Sequence, residues 1–205
     1  MKYAIIGAGG TGGCLGFFLK KAGKDVTLIA RGKHLEAIRK NGLTIQKLWD
    51  ESRETLPVKA CTAEEYKEIP DVILVCVKGY SMDETVPTIK KIAGKETVVI
   101  PILNIYGTGG RLQKKLPELT VTDGCIYVSA NIMEPGVILQ QGKILRVVFG
   151  ARKPEEETEK MREVAKDMVT DDLEVILSEN IRRDAMVKFS YVSPIGAAGL
   201  YCNAV

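Results

Sequence analysis

The chain has 205 residues, 45% of them apolar and 27% charged, with a net charge of +3, a balance that excludes a disordered tail and fits one well-buried domain, or one domain and the start of a second. A charge this small, without a basic stripe interleaved with aromatics, argues against nucleic acid as a partner. No apolar run reaches the ~20 residues that cross a bilayer, and Met1-Lys2 runs directly into a strand-and-glycine pattern with no cleavage site before it, so neither a membrane nor a signal peptide is expected.

In chain order, "KYAII" (2–6) predicts a buried strand, "GTGGCLGFFLKKAG" (10–23) a helix closed by Gly23, and "DVTLIA" (25–30) a second strand. "GKHLEAIRKNG" (32–42) follows as a short helix ending at Gly42. "LTIQ" (43–46) and "ETLPVKACTA" (54–63) fit a short inserted strand pair. "DVILVCVK" (71–78) is the most strongly apolar strand, "SMDETVPTIKKIAGK" (81–95) an amphipathic helix and "TVVIPILN" (97–104) a further strand. Such alternation predicts a doubly wound α/β fold with a mainly parallel sheet and crossover helices. From about Asp123 the pattern changes, and the Pro135-Gly136 and Gly142 breaks predict antiparallel strands added at the sheet edge. "PEEETEKMREVAKDMVT" (154–170) is an amphipathic helix with acids in its first turn, followed by the strand "EVILS" (174–178). Residues 1–178 then form one domain, and 179–205 read as the first helical segment of a second, all-helical domain, so a piece of a longer protein is expected.

The five cysteines, Cys14, Cys61, Cys76, Cys125 and Cys202, show no CxxC pairing. They fit reduced thiols in a cytoplasmic protein rather than a disulfide frame. The single histidine, His34, lies in a polar helical stretch and reads as a solvated surface residue. No metal site is expected.

In "IIGAGGTGG" the spacing Gly7, Gly9, Gly12 satisfies GxGxxG after a strand and before a helix, the context in which that pattern binds a dinucleotide. Gly7 allows the tight turn, Gly9 a close backbone approach to a pyrophosphate, and Gly12 the packing of helix on strand. Backbone N–H groups over Gly7, Ala8, Gly9, Gly10, Thr11 and Gly12 then face the phosphates. An NAD site places an acid at the end of the second strand. Here "TLIARGK" has none, and Arg31, assisted by Lys33, favours a 2′-phosphate and therefore NADP(H).

Six segments in order, "GAGGTGG", "IARGKHLEAIRKNGL", "VILVCVKGY", "PILNIYGTGGRL", "SANIMEPGVILQQG" and "NIRRDAMVKFSYVSP", resemble the ketopantoate reductase (2-dehydropantoate 2-reductase) family over essentially the whole chain. The resemblance implies a Rossmann-type domain followed by an all-helical domain, and NADPH-dependent reduction of a 2-keto acid to a 2-hydroxy acid. It places Lys78 at the family's cofactor-side lysine, Asn104 at its cofactor- and substrate-facing asparagine, and Lys188 at its catalytic lysine. Two departures are visible. The usual "QNG" is "LNI" around Asn104, and the asparagines one and two turns beyond the lysine are Val192 and Gly196, with Ser193 as a neighbouring hydrogen-bonding group. The glutamate and serine that the family draws from its helical domain have no counterpart before Val205.

The chemistry asks for these groups independently. Hydride reaching a ketone carbon leaves charge on oxygen, which needs a proton or a cation beside it. From the residues alone, a single lysine on an amphipathic helix reads as solvated, so the role of Lys188 comes from the resemblance. The expected partners are a small 2-keto acid and, as an assembly, a homodimer. Two other readings stay open: a related NADP-dependent reductase of another 2-keto acid, and an NADP-binding redox-sensor module without turnover.

Overall fold

The structure is a computed structural model that describes residues 1–203. Its first strand, β1 (Lys2–Ile6), leads through the glycines into α1 (Gly10–Lys21), and β2 (Asp25–Ile29) leads through Arg31 into α2 (Gly32–Asn41). Next come β3 (Leu43–Lys47), β4 (Arg53–Leu56), β5 (Lys59–Cys61), β6 (Val72–Val75), α3 (Val86–Ile92), β7 (Val98–Pro101), α4 (Thr108–Lys115) and β8 (Thr120–Val121). They are followed by β9 (Asp123–Tyr127), β10 (Ala130–Glu134), β11 (Val137–Gln140), β12 (Arg146–Gly150), α5 (Glu159–Met168), β13 (Glu174–Leu177) and α6 (Ile181–Tyr201).

Six strands form a parallel sheet in the order β5-β2-β1-β6-β7-β8. Helices cover both of its faces, which is why its central strands are apolar at every position rather than at alternate ones. Tyr3, Ile5, Leu28 and Leu74 pack on one side with Leu15 and Leu19 of α1. Ala4, Ile6, Val75 and Val99 pack on the other with Ile89 of α3 and Leu112 of α4. Each fully buried leucine or phenylalanine contributes roughly 1.5–3 kcal/mol. From β1 the chain steps out to β2 on one side and returns to β6 on the other. The carboxyl ends of β1 and β6 therefore diverge at a topological switch point, where doubly wound sheets open a ligand crevice.

Several elements differ from the sequence expectations. The strands after Asp123 do not extend the main sheet, whose edges are taken by β5 and β8. They build two sheets of their own, ordered β10-β11-β3-β4 and β13-β12-β9. In these, β11 runs parallel to β3, and β12 runs parallel to β13 but antiparallel to β9. β9 crosses the end of β7 face-on, and Gly124 permits that approach, since a Cβ there would lie 3.0 Å from the Pro101 carbonyl oxygen. The expected 54–63 strand is divided: β4 pairs antiparallel with β3, while β5 joins the main sheet beside β2. The helix expected from Ser81 begins as two 3₁₀ turns and becomes α-helical only at Val86, with Pro87 in its first turn, where a missing N–H costs nothing. α4 starts on two glycines and has no local helix signal. Its Gly109 N–H donates to Asp123 Oδ1 at 2.7 Å, an acceptor 14 residues away.

Caps follow the sequence more closely. Thr158 Oγ1 accepts from the Met161 N–H to start α5, and Asn180 Oδ1 accepts from the Arg183 N–H to start α6. Gly42 ends α2 at φ +84°. Along α6 only Ile181 and Lys188 are buried, whereas Met186, Val187, Tyr191, Ile195, Leu200 and Tyr201 are exposed.

Candidate active site

The glycine loop closes β1 and opens α1. Gly7 has φ +97°, a conformation that L side chains rarely adopt. Its N–H donates to the Ile29 carbonyl at 3.0 Å, which ties the loop to β2. A Cβ on Gly12 would lie 1.9 Å from the Gly7 carbonyl oxygen, and one on Gly10 would lie 2.2 Å from the Ala130 carbonyl oxygen. Helix, strand and β10 backbone thus meet here with no room for a side chain. Gly9 is the opposite case: it has φ −68° and nothing within 4 Å of a Cβ built on it. It faces open space at the start of α1, and no side chain caps that helix. First-turn N–H groups lack partners inside a helix, so this turn can receive an anion such as a pyrophosphate.

At the end of β2, Arg31 is the N-cap residue of α2 and is exposed, as is Lys33. Neither makes an ion pair among the described residues. His34 departs from its expected place at the solvated surface. It is half-buried, with Nε2 2.8 Å from the Ala8 carbonyl oxygen and Nδ1 3.0 Å from the Gly136 nitrogen. It joins the glycine loop to the β10–β11 turn, and burial holds its pKa below the ordinary imidazole value.

A cleft of about 340 Å³ opens beside the glycine loop at the switch point. It brings together Gly9, Gly10, Thr11, Lys78 and Asn104. Lys78 follows β6 and is exposed at the cleft wall, next to Tyr80. Arg31 stands outside this cleft, at the neighbouring strand end, and Gly7 and Gly12 lie beneath the loop rather than on its surface.

Lys188 reaches the cleft through Asn104. α6 packs across β9 and places the Lys188 side chain inward at 7% exposure. Its Nζ donates to Asn104 Oδ1 at 2.5 Å and sits 5.6 Å from the Tyr127 ring centroid. It has no carboxylate partner among the described residues, and burial holds its pKa below the usual 10.5. A desolvated, unpaired ammonium next to an amide is poised to give up a proton. Because Asn104 turns its oxygen to the ammonium, its amide N–H groups remain available for a ligand. A much smaller hollow, about 10 Å³, is lined by Asn104 together with Lys188 and Val192 of α6. Two thiols lie near the loop, but burial raises Cys76 and pushes Cys14 up to about 12, so neither is a thiolate nucleophile.

Sequence reading missed three contributors: the His34 bridge, the Ala130 backbone against Gly10, and the Tyr127 ring beside Lys188. His34 alone carried a signal, as the only histidine and five residues past the end of β2, a strand that flanks the glycine loop.

Known proteins resemble the chain in sequence and in fold. The family model described as ketopantoate reductase PanE/ApbA matches residues 3–154. The chain is 33% identical over 202 residues to a 2-dehydropantoate 2-reductase of Pyrococcus horikoshii, covering 96% of this chain and 64% of that protein. It is 29% identical over 193 residues to an uncharacterized oxidoreductase, YkpB, of Bacillus subtilis, covering 94% and 62%. The crystal structure of 2-dehydropantoate 2-reductase from Porphyromonas gingivalis W83 superposes with a TM-score of 0.87 at 31% identity, covering 99% of this chain and 72% of that one. The chain spans less than two thirds of the length of these two curated relatives. With a matching model over most of its length, a shared parallel-sheet fold and the six motifs in order, the chain belongs to the ketopantoate reductase PanE/ApbA family.

Proposed function

We propose that the chain is the cofactor-binding part of an NADPH-dependent reductase that converts a 2-keto acid to a 2-hydroxy acid, with ketopantoate as the first candidate substrate. The observation that carries this reading is Lys188, buried without a counter-charge among the described residues and hydrogen-bonded to Asn104 at the rim of the cleft that also borders the glycine loop. A binding module without turnover has no use for a desolvated ammonium in that position. The relatives' names point the same way.

In this reading the residues fit a dinucleotide. The open face of Gly9 and the first-turn N–H groups of Gly10, Thr11 and Gly12 receive the pyrophosphate, Gly7 and Ala8 shape the turn, Arg31 with Lys33 receives the 2′-phosphate, and Lys78 and Asn104 border the nicotinamide end. The bound cofactor supplies the hydride. Lys188 holds a proton at Nζ toward the substrate carbonyl oxygen and delivers it as that oxygen gains charge, becoming a neutral amine. Asn104 orients the ammonium through Oδ1 and offers its N–H groups to the substrate. Ile105 favours a second reading, a 2-keto acid other than ketopantoate. Its side chain lies directly over Gly79, 2.0 Å from where a Cβ there would stand, and adds an apolar wall beside Asn104.

Oxidation of NADPH by the full-length protein in the presence of ketopantoate and other 2-keto acids tests the reaction. A nucleotide titration tests the cofactor. Arg31→Ala is expected to weaken NADPH binding about 10- to 100-fold, the loss of a charge-assisted contact, with NADH affinity moved by no more than about twofold. Equal wild-type affinity for the two nucleotides would contradict the assignment of Arg31.

A further inference from the structure

We propose that His34 is a positioning residue for the dinucleotide cradle: a neutral imidazole that fixes the orientation of the Ala8–Gly9 peptide and couples the glycine loop to the β10–β11 turn. The proposal rests on the cofactor reading above and adds a residue whose two ring nitrogens are both engaged by backbone groups of the chain.

The partners of the ring define its protonation. The Gly136 N–H can only donate, so Nδ1, 3.0 Å away, must be the unprotonated acceptor. The proton is then on Nε2, which donates to the Ala8 carbonyl oxygen at 2.8 Å. In a trans peptide the carbonyl and the following N–H point in opposite directions. Holding the Ala8 oxygen toward α2 therefore turns the Gly9 N–H away from α2. From another side the Ala130 carbonyl closes on Gly10, leaving no space for a side chain. Because β10 carries Ala130 and the β10–β11 turn carries Gly136, one hairpin touches the loop directly and also through His34. The residues on either end of the bridge are 26 and 102 positions from His34 in sequence.

A doubly protonated ring would set an Nδ1–H against the Gly136 N–H, so the bridge exists only with the ring neutral. Burial lowers the His34 pKa, opposed by the Ala8 hydrogen bond, with no charged side chain contributing. On α2 itself Arg31, Lys33 and Glu36 are exposed. The glycine loop presents only backbone to the ring, and Glu134 near the turn is engaged by Arg53 at 3.4 Å. A pKa lowered in the folded state means that the bridge is intact above 6.5 and is lost as pH falls through the lowered value.

The test is titration of the full-length protein with NADPH and NADH, for wild type and for His34→Ala, His34→Gln and His34→Asn, between about pH 5 and 8. Amide exchange at Gly136 is followed in parallel. His34→Ala should raise Kd for both nucleotides about tenfold, since the loop serves the pyrophosphate they share. His34→Gln keeps an N–H donor at the Nε2 position and should recover most of the affinity while leaving Gly136 unprotected. His34→Asn keeps an acceptor at the Nδ1 position and should do the reverse. Wild-type affinity should fall on the acid side, and that limb should vanish in His34→Gln. Wild type binding a nucleotide with all three variants equal to it would overturn the proposal alone. Wild type binding neither nucleotide would overturn the cofactor reading and the proposal with it.

Discussion

If the proposed reaction holds, replacing Lys188 by alanine is expected to lower kcat/KM for NADPH-dependent reduction of a 2-keto acid by about 10²- to 10⁴-fold, the usual contribution of a positioned general acid. Binding of NADPH should change by no more than about twofold, because the loss falls on a group that acts on the substrate oxygen. The expectation rests on position and environment together. Lys188 is one of only two buried residues on α6, it donates to Asn104 at 2.5 Å, and no carboxylate among the described residues balances its charge. A solvated lysine would lie near its ordinary pKa and be a poor proton donor at neutral pH. Here burial lowers that value from 10.5. The acid works in its protonated form, so at saturating NADPH the wild-type reductive rate should be flat at lower pH and fall as pH rises through the lowered pKa. That basic limb should disappear in Lys188→Ala, whose residual rate comes from positioning alone. Asn104→Ala should lose rate as well, since it removes both the partner of the ammonium and the N–H groups offered to the substrate. A Lys188→Ala enzyme with unchanged kcat/KM would remove the lysine from the mechanism.

Two alanine substitutions three residues apart should fail in different ways. At Gly12 a Cβ would lie 1.9 Å from the Gly7 carbonyl oxygen and 3.0 Å from the Cys76 Cβ, so it can be admitted only by parting α1 from the ends of β1 and β6. Overpacking of this kind costs about 3 kcal/mol, so Gly12→Ala should lower Tm by about 10 °C in a protein of this size. At Gly9 the backbone φ of −68° suits any L residue and nothing lies within 4 Å. Gly9→Ala should therefore keep its Tm within about 2 °C of wild type. Its new methyl group would project into the space expected to hold the pyrophosphate, and NADPH affinity should fall roughly 10- to 100-fold. Thermal unfolding and nucleotide titration of both variants separate the two roles. A Gly9→Ala protein that binds NADPH like wild type would show that the open face is not where the phosphates sit.

Legibility in the sequence followed the range of the interactions. The strand, glycine turn and helix at the N-terminus were readable because Gly7 and Gly12 act on each other across five positions. The parallel sheet was readable because burial on both faces makes 72–75 apolar throughout. The small sheets were not, because β3 pairs with β11 more than 90 positions later and no local pattern encodes that register. α4 was missed because its capping acceptor, Asp123, comes from a distant strand. At the site, the glycine turn could be read from local spacing, while Arg31 stands exposed outside the cleft. Lys188 could be given a role only through family resemblance, since its meeting with Asn104 spans 84 positions. His34 was misplaced for the same reason: its helix is polar, and both of its partners are backbone atoms supplied by other parts of the chain.

The central claim, a 2-keto acid reductase fed by NADPH at the β1–β6 crevice, is tested most directly by following NADPH absorbance in the full-length protein with ketopantoate and a panel of other 2-keto acids. Steady oxidation of NADPH with at least one of them, forming the 2-hydroxy acid and strongly reduced in Lys188→Ala, is the predicted result. NADPH that binds but is never oxidised by any 2-keto acid would contradict it.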